Sequence, residues 1–422
     1  MKSTTKKSIA VPMLIVGSMN AIYGFALGVN AFFIPFVKQA FDVTTGMAYL
    51  IMVATFSAYL VFGGLTGPIL KKAGYKGGMV IALMLMSVGF LIIVPSARLV
   101  SFPLFLCALF VNGLGQALLS GAYSTYISII GNPDSAAARI SFMGICAKVF
   151  YAAASFTLAF FMDLADVRLS DVITPFYVIA GITFVMGILY YFSPLPEVKT
   201  AEQPEGESAG QPEGETAGQP EGKTVGQPEE INQSTRSRAK TSIWKFPHLL
   251  LGVLAIFFTV GVEYLALGTI IDYAEYLGLS NPQNYVWLVS FTMILGYLAG
   301  MAFIPKYLSQ TSALVASTFL GVLATLILLI IPGTASIYMI PVLGLANALL
   351  WPAVWPLAIA DLGKFTKTGS SLLVTGIIGA GIISLIFGFL AGKIGYQLAY
   401  TVALPCYLFI LYFARWGSKI RT

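Results

Sequence analysis

Charged residues are scarce in this chain: they make up 10% of its 422 residues, whereas 57% of the residues are hydrophobic. A soluble globular protein carries roughly a quarter charged residues, so the composition excludes a soluble enzyme or a soluble binding domain as the body of the chain. Repeated apolar stretches of about 20 residues are long enough to cross the hydrocarbon core of a bilayer. We therefore predict an all-α polytopic membrane protein that lies in a lipid bilayer.

Residues that commonly hold metals or act as nucleophiles are also rare. The sequence has one histidine, His248, and three cysteines, Cys107, Cys146 and Cys406, which all lie in apolar runs. Their spacing is not typical of a metal site, and the lack of a glycine-rich phosphate-binding loop argues against direct use of ATP. We expect no metal, no cofactor and no enzymatic activity.

One long polar segment, 194–245, interrupts the apolar sequence. It contains an eight-residue unit, QPEGESAG, which begins at Gln203 and recurs with small changes, and nine of the chain's 18 acidic residues lie between Glu197 and Glu230. Segments this rich in Pro, Gly and charge bury too little apolar surface to fold. We predict a disordered linker that joins an N-terminal half, 1–193, to a C-terminal half, 246–422.

The apolar stretches predict twelve transmembrane helices, six in each half. Their predicted bounds are 10–36, 46–69, 77–96, 101–130, 138–162 and 172–193 in the first half, and 247–275, 284–305, 312–332, 335–361, 370–391 and 396–415 in the second. Six spans, a polar linker and six further spans are typical of the major facilitator fold, whose halves are related by a pseudo-two-fold axis along the membrane normal. Within the tenth span, Pro352 and Pro356 are expected to kink or break the helix.

The basic residues predict which side of the membrane each loop occupies. Of the 24 Lys and Arg residues, four lie in loops opposite the termini (Lys38, Arg98, Arg168 and Lys393), and nineteen lie in the termini, the linker and the loops on their side. Cytoplasmic loops carry an excess of Lys and Arg, so both termini and the linker are predicted to be cytoplasmic. The protein itself is predicted to lie in the inner membrane. The same rule accounts for the net charge of +6, and no nucleic-acid partner is expected.

Glu263 is a carboxylate well inside the seventh span, in the segment TVGVEYLALG. Charged side chains in a span are costly if they face lipid, so they commonly face the interior of the bundle. A buried carboxylate can exchange a proton or pair with a cation, which makes Glu263 the candidate ion-coupling residue. The alternative is a neutral acid that ties helices together by a hydrogen bond.

The one remaining cation, Lys148, lies nine residues beyond Arg139, which places it about 13 Å along a helix from the membrane edge. Its ammonium group could extend toward that edge along the apolar stem. If it faces a cavity instead, it would attract an anionic ligand or pair with a carboxylate such as Glu263. Both interpretations remain open at this point.

Amide and aromatic side chains recur at helical spacing in three spans. Amides and indole rings suit a neutral polyol, because hydroxyl groups take the hydrogen bonds and the C–H face of a sugar ring lies on an aromatic ring. The alternative is hydrogen bonding between helices for the amides and ordinary packing for the tryptophans. The candidate substrate-binding residues are Asn30 in span 1, Asn112, Gln116 and Ser120 in span 4, Lys148 in span 5, and Asn347, Trp351 and Trp355 in span 10.

Several of these segments resemble a branch of the major facilitator superfamily, the fucose and glucose/galactose cation symporters. The resemblance covers nearly the whole chain apart from the linker. It is carried by VNAFFIPFVKQAFDV, GPILKKAGYKGG and YISIIGNPDSAAARIS in the first half, and by FFTVGVEYLALGTIIDY, GLANALLWPAVWPLAIADLGKFTKTGSSLLV and GYQLAYTVALPCYLFILY in the second. It implies a sugar carrier, and Glu263, Asn347 and Trp351 match positions of the branch.

The chain departs from the branch at three positions. Asn30 is followed by Ala31, where the fucose member has an aspartate, and Ser120 stands where that member has a glutamate. Lys148 stands where the branch leads us to expect a small polar residue. These departures leave open which substrate and which driving ion the chain uses.

Taken together, the sequence predicts a monomeric secondary transporter that moves a monosaccharide by alternating access, coupled to a proton or sodium ion at Glu263. One alternative is a carrier of a small organic anion or sugar acid, neutralised by Lys148. A second alternative is a sensor built on a transporter fold that transports nothing.

Overall fold

Twelve helical segments are long and apolar enough to cross a membrane. They are seen in a computed structural model, which describes residues 9–130, 136–164, 166–196, 242–304, 307, 309–362 and 365–420. Within these ranges the regular structure consists of helices, without strands. The predicted all-α fold with twelve spans is therefore confirmed. The predicted linker repeats and the terminal basic residues Lys2, Lys6, Lys7 and Arg421 lie outside the described residues.

The spans are numbered here in chain order. Spans 1 to 6 comprise Ala10–Ala40, Thr45–Phe62, Thr66–Arg98, Phe102–Ile129, Ala136–Phe161 and Leu169–Tyr191, and spans 7 to 12 comprise Pro247–Tyr276, Pro282–Phe303, Gln310–Ile330, Gly333–Ile359, Thr366–Ile394 and Tyr396–Lys419. Short 3₁₀ turns open spans 6, 8 and 10 and interrupt spans 11 and 12. Most observed bounds lie within a few residues of the predicted ones.

The boundary between spans 2 and 3 differs from the prediction. Span 2 ends at Phe62 rather than at residue 69, because residues 63–65 form a turn between two helices. Thr66 then begins the next helix, in which Pro68 lies in the first turn, where its missing N–H group costs nothing. Gly74 breaks that helix with a φ of 71°, so a short basic helix precedes the membrane-spanning part.

Span 10 is broken, as the two prolines predict. One helix ends at Asn347 and the next begins at Leu350. Pro352 causes this interruption, since a proline removes one backbone donor and its ring clashes with the carbonyl four residues earlier, here that of Ala348. The break leaves Asn347 and Trp351 on different helical segments.

Glycines bring spans 1 and 5 into close contact around the candidate site. A Cβ atom on Gly24 would clash with the carbonyl oxygen of Ala147, and one on Gly28 would clash with that of Tyr151. Small residues of this kind let helices approach where lipid supplies no hydrophobic driving force. Span 1 therefore lies directly against the stretch of span 5 that carries Lys148.

Three pairs of spans pack across the two halves: spans 1 and 7, spans 2 and 11, and spans 5 and 8. Close glycine contacts occur at this interface too, as at Gly268, where a Cβ atom would clash with the side chain of Met52. Each half therefore presents buried side chains to the other. The ends of the first half are also secured, since Lys76 donates a 2.8 Å hydrogen bond to the carbonyl of Ser193 after span 6.

Candidate substrate and coupling site

Lys148 and Glu263 form a buried ion pair at the interface between the halves. The Lys148 Nζ atom lies 2.5 Å from Glu263 Oε1, and the two side chains are 9% and 10% exposed. Lys148 therefore does not extend its ammonium group to the membrane edge, and Glu263 is not isolated among apolar groups. Of the sequence interpretations left open, pairing between these two residues is the one that the geometry shows.

Local packing fixes both partners. On the side of span 5, Gly24 and Gly28 hold span 1 against the helical turns that flank Lys148. On the side of span 7, Asn347 Nδ2 donates a 2.9 Å hydrogen bond to the carbonyl of Val262, the residue before Glu263. The Asn347 side chain therefore holds the broken region of span 10 against the backbone that carries Glu263.

Tyrosine side chains surround the ion pair. The Lys148 Nζ atom lies 5.9 Å from the ring centroid of Tyr151 and 5.7 Å from that of Tyr264, distances at which an ammonium group is attracted to an aromatic ring. The rings of Tyr151, in the first half, and Tyr264, in the second, lie edge to face with their centroids 6.4 Å apart. The ring of Tyr297, in span 8, lies beside Gly144, one helical turn before Lys148. The pair thus lies in an aromatic cage with contributions from both halves.

The cage continues into a hydroxyl network in the first half. The Tyr23 and Tyr59 hydroxyls are 3.0 Å apart, and the rings of Tyr23 and Tyr123 meet edge to face at 6.0 Å. The side chain of Ser120 lies near the hydroxyls of Tyr23 and Tyr123. The candidate residue Ser120 therefore belongs to the same polar region.

Several buried polar groups beside the pair have no hydrogen-bond partner among the described residues. On the face of span 5 that carries Lys148, these are the hydroxyls of Tyr151 and Ser155. On span 7 the hydroxyl of Thr259, one helical turn before Glu263, has the same status. Such groups are costly to bury without a partner. They lie on the two helical faces that carry the ion pair, at different heights along these helices, where a polar ligand could bond to them.

Asn112 and Gln116 bond to each other and to a neighbouring span. Asn112 Nδ2 donates to the carbonyl of Met86 at 2.9 Å, and Gln116 Nε2 donates to Asn112 Oδ1 at 2.6 Å. Asn112 therefore joins spans 3 and 4, which is the packing alternative weighed for these amides. The Gln116 Oε1 atom is buried and lacks a partner in the described part of the chain, so it remains available to accept a hydrogen bond.

Asn30 is engaged in packing. Its Nδ2 atom lies 3.1 Å from Thr55 Oγ1, and its Oδ1 atom accepts from the same hydroxyl at 3.3 Å. The side chain is 1% exposed. It joins spans 1 and 2 and has no free polar atom to offer a substrate in this conformation.

Span 10 divides its candidate residues between two roles. Asn347 also accepts a 2.7 Å hydrogen bond from the Tyr407 hydroxyl of span 12, so both ends of its amide group are occupied. Trp351 and Trp355 are half-buried and lie with ring centroids 5.1 Å apart at an angle of 35°. Asn347 thus positions the Glu263 backbone, whereas the two indoles form one aromatic surface.

The described residues contain no group of three or more His, Cys, Asp or Glu side chains that could hold a metal ion. The polar groups of this region are instead an ammonium, a carboxylate, hydroxyls and amides. Such a set can bind a polyhydroxylated or anionic molecule and can exchange a cation at the carboxylate. It is situated between two helical halves, where the major facilitator fold binds its substrates.

Comparison with known proteins agrees with this geometry. Residues 16–377 match the Major Facilitator Superfamily. The chain belongs to this superfamily. This membership and the confirmed fold support the resemblance that the sequence segments indicated.

Curated relatives match along almost the entire chain. A glucose/galactose transporter from Brucella abortus biovar 1 is 25% identical over 432 residues, covering 99% of this chain and 97% of the relative. An L-fucose-proton symporter from Escherichia coli K12 is 24% identical over 444 residues, covering 99% of this chain and 95% of the relative. The predicted resemblance to proteins of the fucose and glucose/galactose branch is therefore confirmed.

A solved structure shows the same fold. The crystal structure of the superfamily transporter FucP in the outward conformation aligns with a TM-score of 0.67 and 21% identity, covering 97% of this chain and 99% of that chain. The chain is accordingly a multi-pass membrane protein of the transporter fold.

Proposed function

We propose that this chain is a secondary transporter that moves a monosaccharide across the cytoplasmic membrane by alternating access. The observation that carries the proposal is the Lys148–Glu263 ion pair, because it is buried, joins the two halves and lies on helical faces that also carry buried polar groups without a partner among the described residues. The names of the relatives, a glucose/galactose transporter and an L-fucose-proton symporter, support a monosaccharide as the substrate.

Glu263 is proposed to be the coupling site for a proton or sodium ion. Removing one partner of a buried ion pair leaves an uncompensated charge, which costs about 3–5 kcal/mol. A cation that binds Glu263 would take over the role of Lys148 and release the ammonium group for the substrate. Binding of the cation and of the sugar would thereby favour each other, which is the thermodynamic requirement for symport.

The sugar itself is proposed to bind among the groups that lack partners. Within the described part of the chain, the hydroxyls of Tyr151, Ser155 and Thr259 and the Gln116 Oε1 atom are buried without a partner. Sugar hydroxyls can donate to all four groups and can also accept from the three hydroxyls. The paired indoles of Trp351 and Trp355 offer an aromatic surface of the kind on which the C–H face of a pyranose packs.

A second substrate class is favoured by one observation. Lys148 is a buried cation at the interface, and a carboxylate on the substrate could replace Glu263 as its partner. In this alternative the chain would carry a sugar acid or another small organic anion. Competition of neutral and acidic sugars for uptake separates the two substrate classes.

The orientation is proposed from the loop charges. Lys71, Lys72 and Lys76 lie on the same side as both termini, whereas Lys38 and Lys393 lie on the opposite side. The excess of basic residues on the terminal side supports a cytoplasmic location for the termini and the linker. We further propose that a single chain is the transport unit, since each chain of this fold contains both halves around its own interface.

The decisive experiment is uptake into proteoliposomes that contain the purified chain. Glucose, galactose and fucose would each be offered with and without an imposed proton or sodium gradient. Saturable uptake of at least one sugar, raised above equilibrium by one of the gradients, is expected. Absence of uptake for every sugar and sugar acid, with protein correctly inserted, would overturn the proposal.

A further inference from the structure

A second polar cluster joins the halves at the end of the interface opposite the termini. Lys38 Nζ lies 2.9 Å from Asp272 Oδ1. The other carboxylate oxygen, Oδ2, accepts hydrogen bonds from the Tyr49 hydroxyl at 3.1 Å and from the Tyr396 hydroxyl at 2.7 Å. These four residues are called the outer cluster below.

The outer cluster connects elements that lie far apart in sequence. Lys38 lies in the last turn of span 1 and Tyr49 at the start of span 2, so both belong to the first half. Asp272 lies near the end of span 7 and Tyr396 at the start of span 12, so both belong to the second half. Two of the three donors to Asp272 therefore come from the half opposite to its own.

Asp272 cannot lose these donors while it stays buried. Its side chain is 0% exposed, whereas that of Lys38 is 24% exposed and is in reach of water. A buried carboxylate without partners is strongly unfavourable, so the first-half donors stabilise the arrangement in which this end of the interface is closed. Separation of the halves at this end would remove Lys38 and Tyr49 and admit water to Asp272.

A neighbouring contact crosses the same boundary. Gln39 Nε2 donates to Glu275 Oε1 at 2.9 Å and to the carbonyl of Leu164 at 3.2 Å. Gln39 follows Lys38 in span 1, and Glu275 lies one turn beyond Asp272 in span 7. The links between the halves at this end therefore form a continuous polar band.

We propose that the outer cluster is a latch that closes the side of the transporter opposite the termini and sets how often that side opens. The proposal rests on the alternating access proposed above, but it concerns residues outside the Glu263 site. Asp272 is the acceptor that remains with the second half, and Lys38 is the donor that leaves. A transporter with a broken latch should spend more time open on this side.

The test measures a distance across the latch in the absence of any sugar, so it does not depend on the identity of the substrate. Spin labels would be placed at Leu99 in the first half and Ser280 in the second, which are both exposed on this side, after replacement of the three native cysteines. In Asp272→Asn and Lys38→Met we expect the ratio of long to short distances to rise by about tenfold. This factor corresponds to about 1.4 kcal/mol.

Two further variants distinguish an effect on the latch from a general effect of misfolding. Tyr49→Phe removes a single hydroxyl and should shift the ratio in the same direction by a smaller factor. The exchange of charges, Lys38→Asp with Asp272→Lys, should return the ratio toward that of the parent. The matched control is Arg168→Met, because Arg168 pairs on the same side with Asp166 but within one loop, and both side chains are more than 60% exposed.

Distance distributions of the folded single variants that equal the parent's would overturn the proposal. A charge-exchange variant that stays as open as the single variants would also overturn it, since the shift would then not come from the ion pair. Absence of sugar transport would count against the proposed function alone, because the distances are measured without any sugar and their interpretation does not depend on transport.

Discussion

Lys148 and Glu263 lie 115 residues apart, on opposite sides of the central linker, yet their charged atoms are 2.5 Å apart and almost completely buried. An ion pair in this position is stable only while spans 5 and 7 keep their relative placement. In the alternating access proposed for this chain, the halves would rock against each other around a fixed central site. The pair would then link the charge state of the site to the arrangement of the halves.

Substitution of Glu263 by glutamine should separate coupling from transport. In Glu263→Gln the group that exchanges a cation is lost, while an amide of the same shape keeps its packing. We expect loss of uphill accumulation of the sugar, with exchange across proteoliposome membranes retained. Asp166→Asn is the control, because this carboxylate is exposed and lies in a loop. Full accumulation by Glu263→Gln would refute the assignment of coupling to this residue.

Substitution of Lys148 by methionine should reveal the cost of an unpaired Glu263. The single variant should be destabilised by about 3–5 kcal/mol, since it leaves a buried charge without its partner. In the double variant Lys148→Met with Glu263→Gln, most of this loss should be recovered, because no charge remains. Thermal unfolding of the purified variants measures the effect. Equal unfolding temperatures for the single and double variants would contradict the energetic link between the two side chains.

The same lysine distinguishes neutral from acidic substrates. If the substrate is a neutral sugar, Lys148→Met should leave the relative competition by neutral sugars and sugar acids unchanged. If the substrate is an anion, the variant should lose competition by the acids selectively. Uptake of a labelled sugar in the presence of each competitor measures this difference, and a selective loss for the acids would favour the alternative function.

Removal of the Tyr407 hydroxyl should weaken cation binding at Glu263 indirectly. Tyr407 donates to Asn347, which in turn donates to the carbonyl of Val262, so three spans are joined up to the residue before Glu263. Tyr407→Phe should lose about 1 kcal/mol of stability and raise the cation concentration needed for half-maximal uptake. The matched control is Tyr412→Phe, in the same helix but on its exposed face. If both variants reach half-maximal uptake at the same cation concentration as the parent, Tyr407 has no positioning role.

Composition and hydrophobic length were sufficient to predict the number of spans, because both depend on the bilayer rather than on tertiary contacts. The predicted boundary between spans 2 and 3 was wrong, since an apolar stretch continues through residues 63–65 although these residues form a turn. The break in span 10 was predictable because it depends on a covalent property of Pro352. The hydrophobic pattern alone thus predicts that the helices exist. Their ends can be predicted only where the effects of Gly and Pro on the backbone are taken into account.

Of the candidate site, only the charged residues could be predicted from the sequence. A charged residue in a span needs a partner, and this rule is sufficient to single out Lys148 and Glu263. Whether an amide such as Asn30 or Asn347 faces a substrate or a neighbouring helix depends on helix rotation, which spacing does not determine. The contacts of Tyr151 and Tyr264 with Lys148 were missed for the same reason. Their positions in the sequence were a signal, since Tyr151 follows Lys148 by one helical turn and Tyr264 follows Glu263 directly.

Deletion of the linker repeats should leave transport intact. Both described ends of the linker, at Pro196 and Ser242, belong to helices that end or begin on the same side of the membrane. Excision of Gln203 to Glu230 leaves seventeen residues between these ends, which can extend over about 55 Å. This length exceeds the width of several helices of about 10 Å each, so the halves should still assemble and move. Initial uptake rates in proteoliposomes test the expectation, and a variant that inserts normally but transports sugar at a small fraction of the parent rate would show that the repeats take part in transport.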